Sequence, residues 1–151
     1  MSRSLKRIQR LVELRKRGSD AAQAALAQAK RQAAVAEQMR LQAEQAWRHR
    51  AQELAGTREM SAADFAHAHA HLQSLDARAQ QARDAELAEA AAVRERHSEA
   101  VRADQELQKT ERWSDRVETR IRQQSDRAER LRDDEIAARK YRGNHEDHRD
   151  R

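Results

Sequence analysis

Leu54-Ala55-Gly56-Thr57-Arg58-Glu59-Met60-Ser61-Ala62-Ala63-Asp64-Phe65 is the stretch in which a helix stop and a helix start stand side by side. Gly56 is the only glycine between Gly18 and Gly143. Lacking a Cβ, it can take positive φ, which suits the residue just past a helix end. Five residues on, Ser61 has the hydroxyl of an N-cap, and Asp64 stands three residues later in a capping-box arrangement. Met60 and Phe65 have the spacing of a hydrophobic staple, which would set the angle at which a second helix departs. Stop, cap and staple together predict that the chain doubles back near Arg58.

Composition restricts what can surround this turn. Of 151 residues, 38% are charged, and four are aromatic: Trp47, Phe65, Trp113 and Tyr141. Much of the apolar share is alanine, which favours helix but buries little area. A two-helix seam needs only one narrow apolar stripe per helix and can be built from such material, whereas a globular core cannot. Proline is absent, so no ring interrupts a helix. Cysteine is absent too, which excludes disulfides, thiolate metal sites and cysteine nucleophiles and suits a cytoplasmic setting. No run approaches the ~20 apolar residues of a membrane span, and no apolar segment of a secretory signal opens the sequence. The Arg- and Ser-rich start shares the look of an organellar transit peptide, but its pattern runs unbroken into the following helix.

The expected architecture is therefore all-α: a long two-helix antiparallel coiled-coil hairpin over residues 1–142 with a longer second helix. Helix 1 is expected over about 4–55, a turn at 56–61, helix 2 over about 62–142, and a disordered polar tail at 143–151. The helix 1 stripe opens with Leu5, Ile8, Leu11, Val12 and Leu14. It then thins to Ala22, Leu26, Ala29, Ala33, Ala36, Ala43, Trp47 and Leu54, with Gly18-Ser19 a plausible kink. In helix 2, counting Phe65 as the first a position gives Leu72, Ala79, Glu86, Val93, Ala100, Leu107, Ser114 and Ile121 as successive a residues. Ala68, Leu75, Ala82, Glu89, Arg96, Ala103, Thr110 and Val117 are the matching d residues. Glu86, Glu89 and Arg96 break that stripe. Pairing about a turn centred near Arg58 places Trp47 opposite roughly His69, and Leu5 opposite roughly Arg112. Val117, Ile121, Ala128 and Leu131 then lie on an overhang of about thirty residues, or ~45 Å, with no mate in the chain. An unmated apolar stripe implies a partner or self-association.

Charge is unevenly placed. The net charge is +5, yet residues 1–17 alone carry +6 and residues 57–111 carry −4. In a hairpin both termini share one end, and that end is basic. Acids interleave with the arginines of the C-terminal region, which favours a protein partner over nucleic acid or a membrane surface. His67 and His71 share a helix face, and His49 approaches across the hairpin. No carboxylate or thiolate is placed to complete a metal site, and a solvated face is the plainer reading. No phosphate loop, nucleophile–base pair or metalloprotease motif is present. Neither enzyme activity nor cofactor is expected.

A basic apolar opening (Leu5-Lys6-Arg7-Ile8 through Leu14-Arg15), an Ala/Gln/Glu-rich helix carrying Ala46-Trp47-Arg48, a short turn, and Asp64-Phe65 leading to His71-Leu72-Gln73-Ser74-Leu75 resemble the type III secretion stalk proteins of the FliJ/YscO type. The resemblance covers nearly the whole chain in length, order of parts and position of the turn. It implies a cytoplasmic stalk at the base of a membrane secretion apparatus, flagellar or virulence-associated. Its terminal end would insert into the hexameric export ATPase and promote assembly and activity; its turn-proximal half would contact the cytoplasmic domain of the export gate. Export chaperones are further implied partners. By position, the resemblance assigns Leu5, Arg7, Ile8, Arg10, Val117 and Ile121 to the ATPase, and Met39, Ala43, Trp47, Leu72 and Leu75 to the gate. Every apolar member of both sets is also a candidate for the seam. The alternative reading is a structural coiled-coil scaffold or adaptor that dimerises through the helix 2 overhang.

Overall fold

The computed structural model describes residues 3–146, with side chains for 3–143. It contains two helices, α1 (Arg3–Gly56) and α2 (Ala62–Glu146), and no strand among the described residues. This is the expected all-α hairpin with a longer second helix.

The turn is built differently from the expectation at one end and as expected at the other. Among the described residues no glycine has positive φ, and Gly56 is the last residue of α1. Thr57 does the closing instead: its hydroxyl donates to the Glu53 carbonyl at 2.9 Å, and its N–H reaches Leu54 O at 3.3 Å. Those bonds satisfy two of the carbonyls that a helix end leaves open, so no left-handed residue is required. Ser61 is the N-cap of α2, its Oγ accepting from the Asp64 N–H at 3.1 Å. Phe65 does not enter the seam. It is 54% exposed and stacks on the His69 imidazole, ring centroids 6.1 Å apart. Met60, its expected staple partner, keeps 38% of its surface exposed.

Burial assigns the seam. On α1, solvent is lost at alternating steps of three and four. Leu5, Val12, Ser19, Leu26, Ala33, Arg40, Trp47 and Leu54 fall at a; Ile8, Ala22, Ala29, Ala36, Ala43 and Arg50 fall at d. Leu14, at 68% exposure, lies outside it, and Leu11 sits on its flank. α1 is continuous through Gly18, and Ser19 is buried at a seam position. On α2 the expected heptad holds from Ala68 to Ile121 except at Arg96, which is exposed.

The chain divides into two compact units, residues 17–104 and residues 1–16 with 105–151. In the first, the turn-proximal unit, Leu26, Ala29, Ala36, Ala68, Leu75, Ala79 and Ala100 are buried. Two charged pairs mark its register. Arg40 pairs with Glu86 across the seam, and Arg83 Nε lies 2.9 Å from Glu44 Oε1. Both pairs bracket a midpoint at about residue 63, not 58. Trp47 accordingly borders one hollow with Asp76 and Ala79, not with His69. The shift arises because the first turns of α2, through His67, stay exposed and the first buried residue is Ala68.

In the second, the terminal unit, Leu5 and Ile8 are buried and Val12 is half-buried; α2 contributes Leu107, Thr110, Ser114, Val117 and Ile121. Val117 and Ile121 are therefore seam, not overhang. Every residue from 122 to 143 is exposed, Ala128 and Leu131 included, so the seam ends at Ile121, later than the turn at 58 implied. α2 also continues through Gly143 to Glu146, past the expected stop near Arg142, because Gly143 keeps a helical φ. The expected polar tail beyond Glu146 lies outside the described residues.

Candidate functional site

In the turn-proximal unit the two flanks of the seam differ in kind. On one flank, c and g positions of both helices border an open groove of about 1030 Å³. Val35, Ala36, Met39 and Ala43 line it from α1, and Leu75 and Ala82 from α2, while Gln28, Gln32, Arg31 and Arg78 stand at its edges. The groove exists because alanine at the seam leaves little side chain to fill the angle between two helices. Val35 is 59% exposed and Met39 60%, so apolar surface faces solvent there. The helix that carries it folds easily: 21–46 is an alanine- and glutamine-rich run with strong intrinsic propensity.

The other flank is charged. Glu44 and Arg83 both occupy e positions and meet across the helices, with Arg40 reaching both Glu44 at 3.0 Å and Glu86. The hydrogen bond from Arg83 holds the Glu44 carboxyl below the ordinary glutamate range; partial burial opposes this, and the charges of Arg40, Arg83 and Arg48 reinforce it. Trp47 borders a shallow hollow with Asp76, Ala79 and Arg83 on this side. Toward the turn, Glu53 accepts from Arg50 Nη1 at 3.0 Å and lies 3.0 Å from His49 Nε2. The Arg50 bond and the His49 charge lower its pKa in turn. Arg50 Nε is enclosed without a hydrogen-bond partner among the described residues, the cost of placing an arginine at a seam position.

Of the residues assigned to the gate by resemblance, the structure brings Met39, Ala43 and Leu75 together around one groove. It separates Trp47 onto the opposite hollow and leaves Leu72 half-buried at the seam. Of those assigned to the ATPase, Leu5 and Ile8 are buried and Val117 and Ile121 half-buried, while Arg7 and Arg10 are exposed. Trp113, 49% exposed in the terminal unit, was absent from both sets. Its g position in the α2 heptad was readable beforehand and marks it as a flank residue rather than core. Among the described residues, no group of three or more His, Cys, Asp or Glu could hold a metal ion, and no helix is long and apolar enough to cross a membrane.

A family model described as the flagellar FliJ protein matches residues 4–146 of this α-hairpin. The chain belongs to the FliJ family. No curated protein and no solved structure matches it. FliJ-family membership places the chain with the flagellar and type III export apparatus.

Proposed function

We propose that the chain is a non-enzymatic stalk that inserts its terminal unit into the hexameric export ATPase and couples that ring to the cytoplasmic domain of the export gate. Contact with the ring promotes its assembly and ATP hydrolysis, because a ligand that binds the assembled state better than separate subunits shifts the equilibrium toward it. The turn-proximal groove, with Met39, Ala43 and Leu75, serves the gate, and Leu72 at the seam and Trp47 on the opposite flank belong to the same gate-facing half. Arg7 and Arg10 face the ATPase, and Leu5, Ile8, Val117 and Ile121 hold the unit that presents them. Export chaperones bind the same molecule. The observation that carries this reading is the FliJ family match over residues 4–146.

The test is titration of the purified chain onto the export ATPase of its own system, following hexamer formation and ATP hydrolysis. Both rise if the proposal holds, and the double change Arg7→Glu with Arg10→Glu blunts the rise. Hydrolysis unchanged by the wild-type chain sinks the ATPase role. For the gate, Met39→Asp weakens capture of the gate's cytoplasmic domain while circular dichroism stays constant; equal capture removes the groove from the account.

The exposed run from 122 to 143, with Leu131, Ile136 and Tyr141 all more than half exposed, favours a second reading. In it, the chain is a scaffold that dimerises through that run. Sedimentation equilibrium separates the two, a monomer supporting the stalk and a tight dimer the scaffold.

A further inference from the structure

The buried positions of Leu5 and Ile8 raise a question about the terminal unit: which of its surfaces can a partner touch? The heptad answers it. With Leu5 and Val12 at a and Ile8 at d, Arg7 and Leu14 fall at c and Leu11 at g. On α2, with Ser114 and Ile121 at a, Trp113 and Arg120 fall at g and Arg116 at c. In an antiparallel pair, g positions of the two helices share one flank and e positions the other. The turn-proximal unit displays that rule directly, in its e-to-e pair Glu44–Arg83 and in its groove lined from c and g. Leu11, Leu14 and Trp113 therefore stand on one flank of the terminal unit, at 37%, 68% and 49% exposure.

Charge is sorted between the same two flanks. The c and g side carries Arg7, Arg116 and Arg120, all exposed. Its one acid, Glu106, is already paired with Lys109 at 3.1 Å. The e and b side carries Glu13, Glu111, Asp115 and Glu118 among Lys6, Lys16 and Arg122. The other acids of this unit's seam flanks thus gather on the e and b side, among three bases, and leave the c and g side basic.

We infer that the terminal unit grips its partner through this one flank, an apolar strip of Leu11, Leu14 and Trp113 edged by Arg7, Arg116 and Arg120. The partner is a protein surface that presents carboxylates around an apolar recess. Tryptophan and arginine are the residue types that dominate protein interfaces, tryptophan for its area and arginine for its bidentate fit to carboxylates. Three apolar side chains flanked by arginines match that composition, whereas a helix lying in a lipid surface exposes a broad apolar face. The opposite flank, acidic along α2, faces away. This rests on the proposed engagement of the export ATPase and names the surface that makes it.

The full-length chain is tested for binding to the ATPase in wild-type form and as Trp113→Ala, Arg7→Glu with Arg116→Glu, and Glu13→Gln with Glu118→Gln. All changed residues are exposed, and circular dichroism melts confirm an intact hairpin. Trp113→Ala and the arginine pair weaken binding about tenfold or more, while the glutamate pair stays within about twofold of wild type. Failure of the wild-type chain to bind overturns the ATPase reading and this surface with it. Wild-type binding that neither flank variant weakens overturns the surface alone. A parallel arm uses vesicles of phosphatidylglycerol and phosphatidylcholine. Loss of vesicle binding in the flank variants, with ATPase binding intact, assigns the flank to an anionic membrane and overturns the protein partner.

Discussion

The two units use the same heptad and fill it with different material. Between residues 17 and 104 the buried seam is mostly alanine, with Leu26 and Leu75 the buried leucines, and an arginine and a glutamate meet at one of its a layers. In the terminal unit Leu5 and Ile8 are buried and Val12, Val117 and Ile121 partly so. An alanine seam gives close approach and a weak hold, and it distinguishes poorly between one register and the next, since alanine opposite alanine looks alike at every step. Charge then supplies the information that shape lacks. An aliphatic seam specifies itself through volume, and its charges are free to point elsewhere.

The sharpest way to break this contrast is Ile8→Ala. With Ile8 at 5% exposure, the change costs about 2–5 kcal/mol if the terminal unit depends on large aliphatic side chains. Hydrogen exchange reads it as early opening of residues 3–16 with 105–121. Protection equal to wild type there would erase the distinction between the units. Next comes Ala79→Leu. Ala79 is 1% exposed, so the added atoms force the helices apart at a cost of about 1–3 kcal/mol, seen as a lower Tm. A neutral or raised Tm would mean that the alanine seam is loose rather than close. Smaller again is Arg40→Glu, about 1 kcal/mol, with the exchange Arg40→Glu plus Glu86→Arg recovering most of it. A double variant no better than the single one removes charge from the setting of register.

The smallest effect is acid sensitivity. The Glu44 carboxyl is lowered in the folded chain by its Arg83 bond. Its contribution to stability is therefore complete above the unfolded glutamate pKa of about 4.3 and is lost as pH falls through the lower folded value. Wild type should lose Tm faster than Glu44→Gln in that window, and parallel curves would show that the pair does nothing for stability.

Much of the hairpin could be read from the sequence. The α2 heptad from Ala68 to Ile121 and the Ser61 cap follow from period and hydroxyl placement alone. The register could not be read, because it depends on which of many arginines meets which of many glutamates, and only the folded pair shows Arg40 with Glu86. Leu14 and Phe65 misled for different reasons: the a and d phase sends Leu14 outward, whereas Phe65 keeps an a position but precedes Ala68, the first buried residue of α2. The candidate contacts were legible in part. Met39, Ala43 and Leu75 do meet at one groove, whereas Trp47, the most conspicuous residue nearby, lies on the other side of the seam.

Thr57 closes α1 without a left-handed residue, and Gly18, Gly56 and Gly143 all keep ordinary φ with nothing within 4 Å of where a Cβ would stand. None of the described backbone demands glycine. Such a molecule can exchange most of its letters while the rhythm of threes and fours persists. Its kinship is then written in cadence rather than in spelling, as a verse keeps its metre through translation.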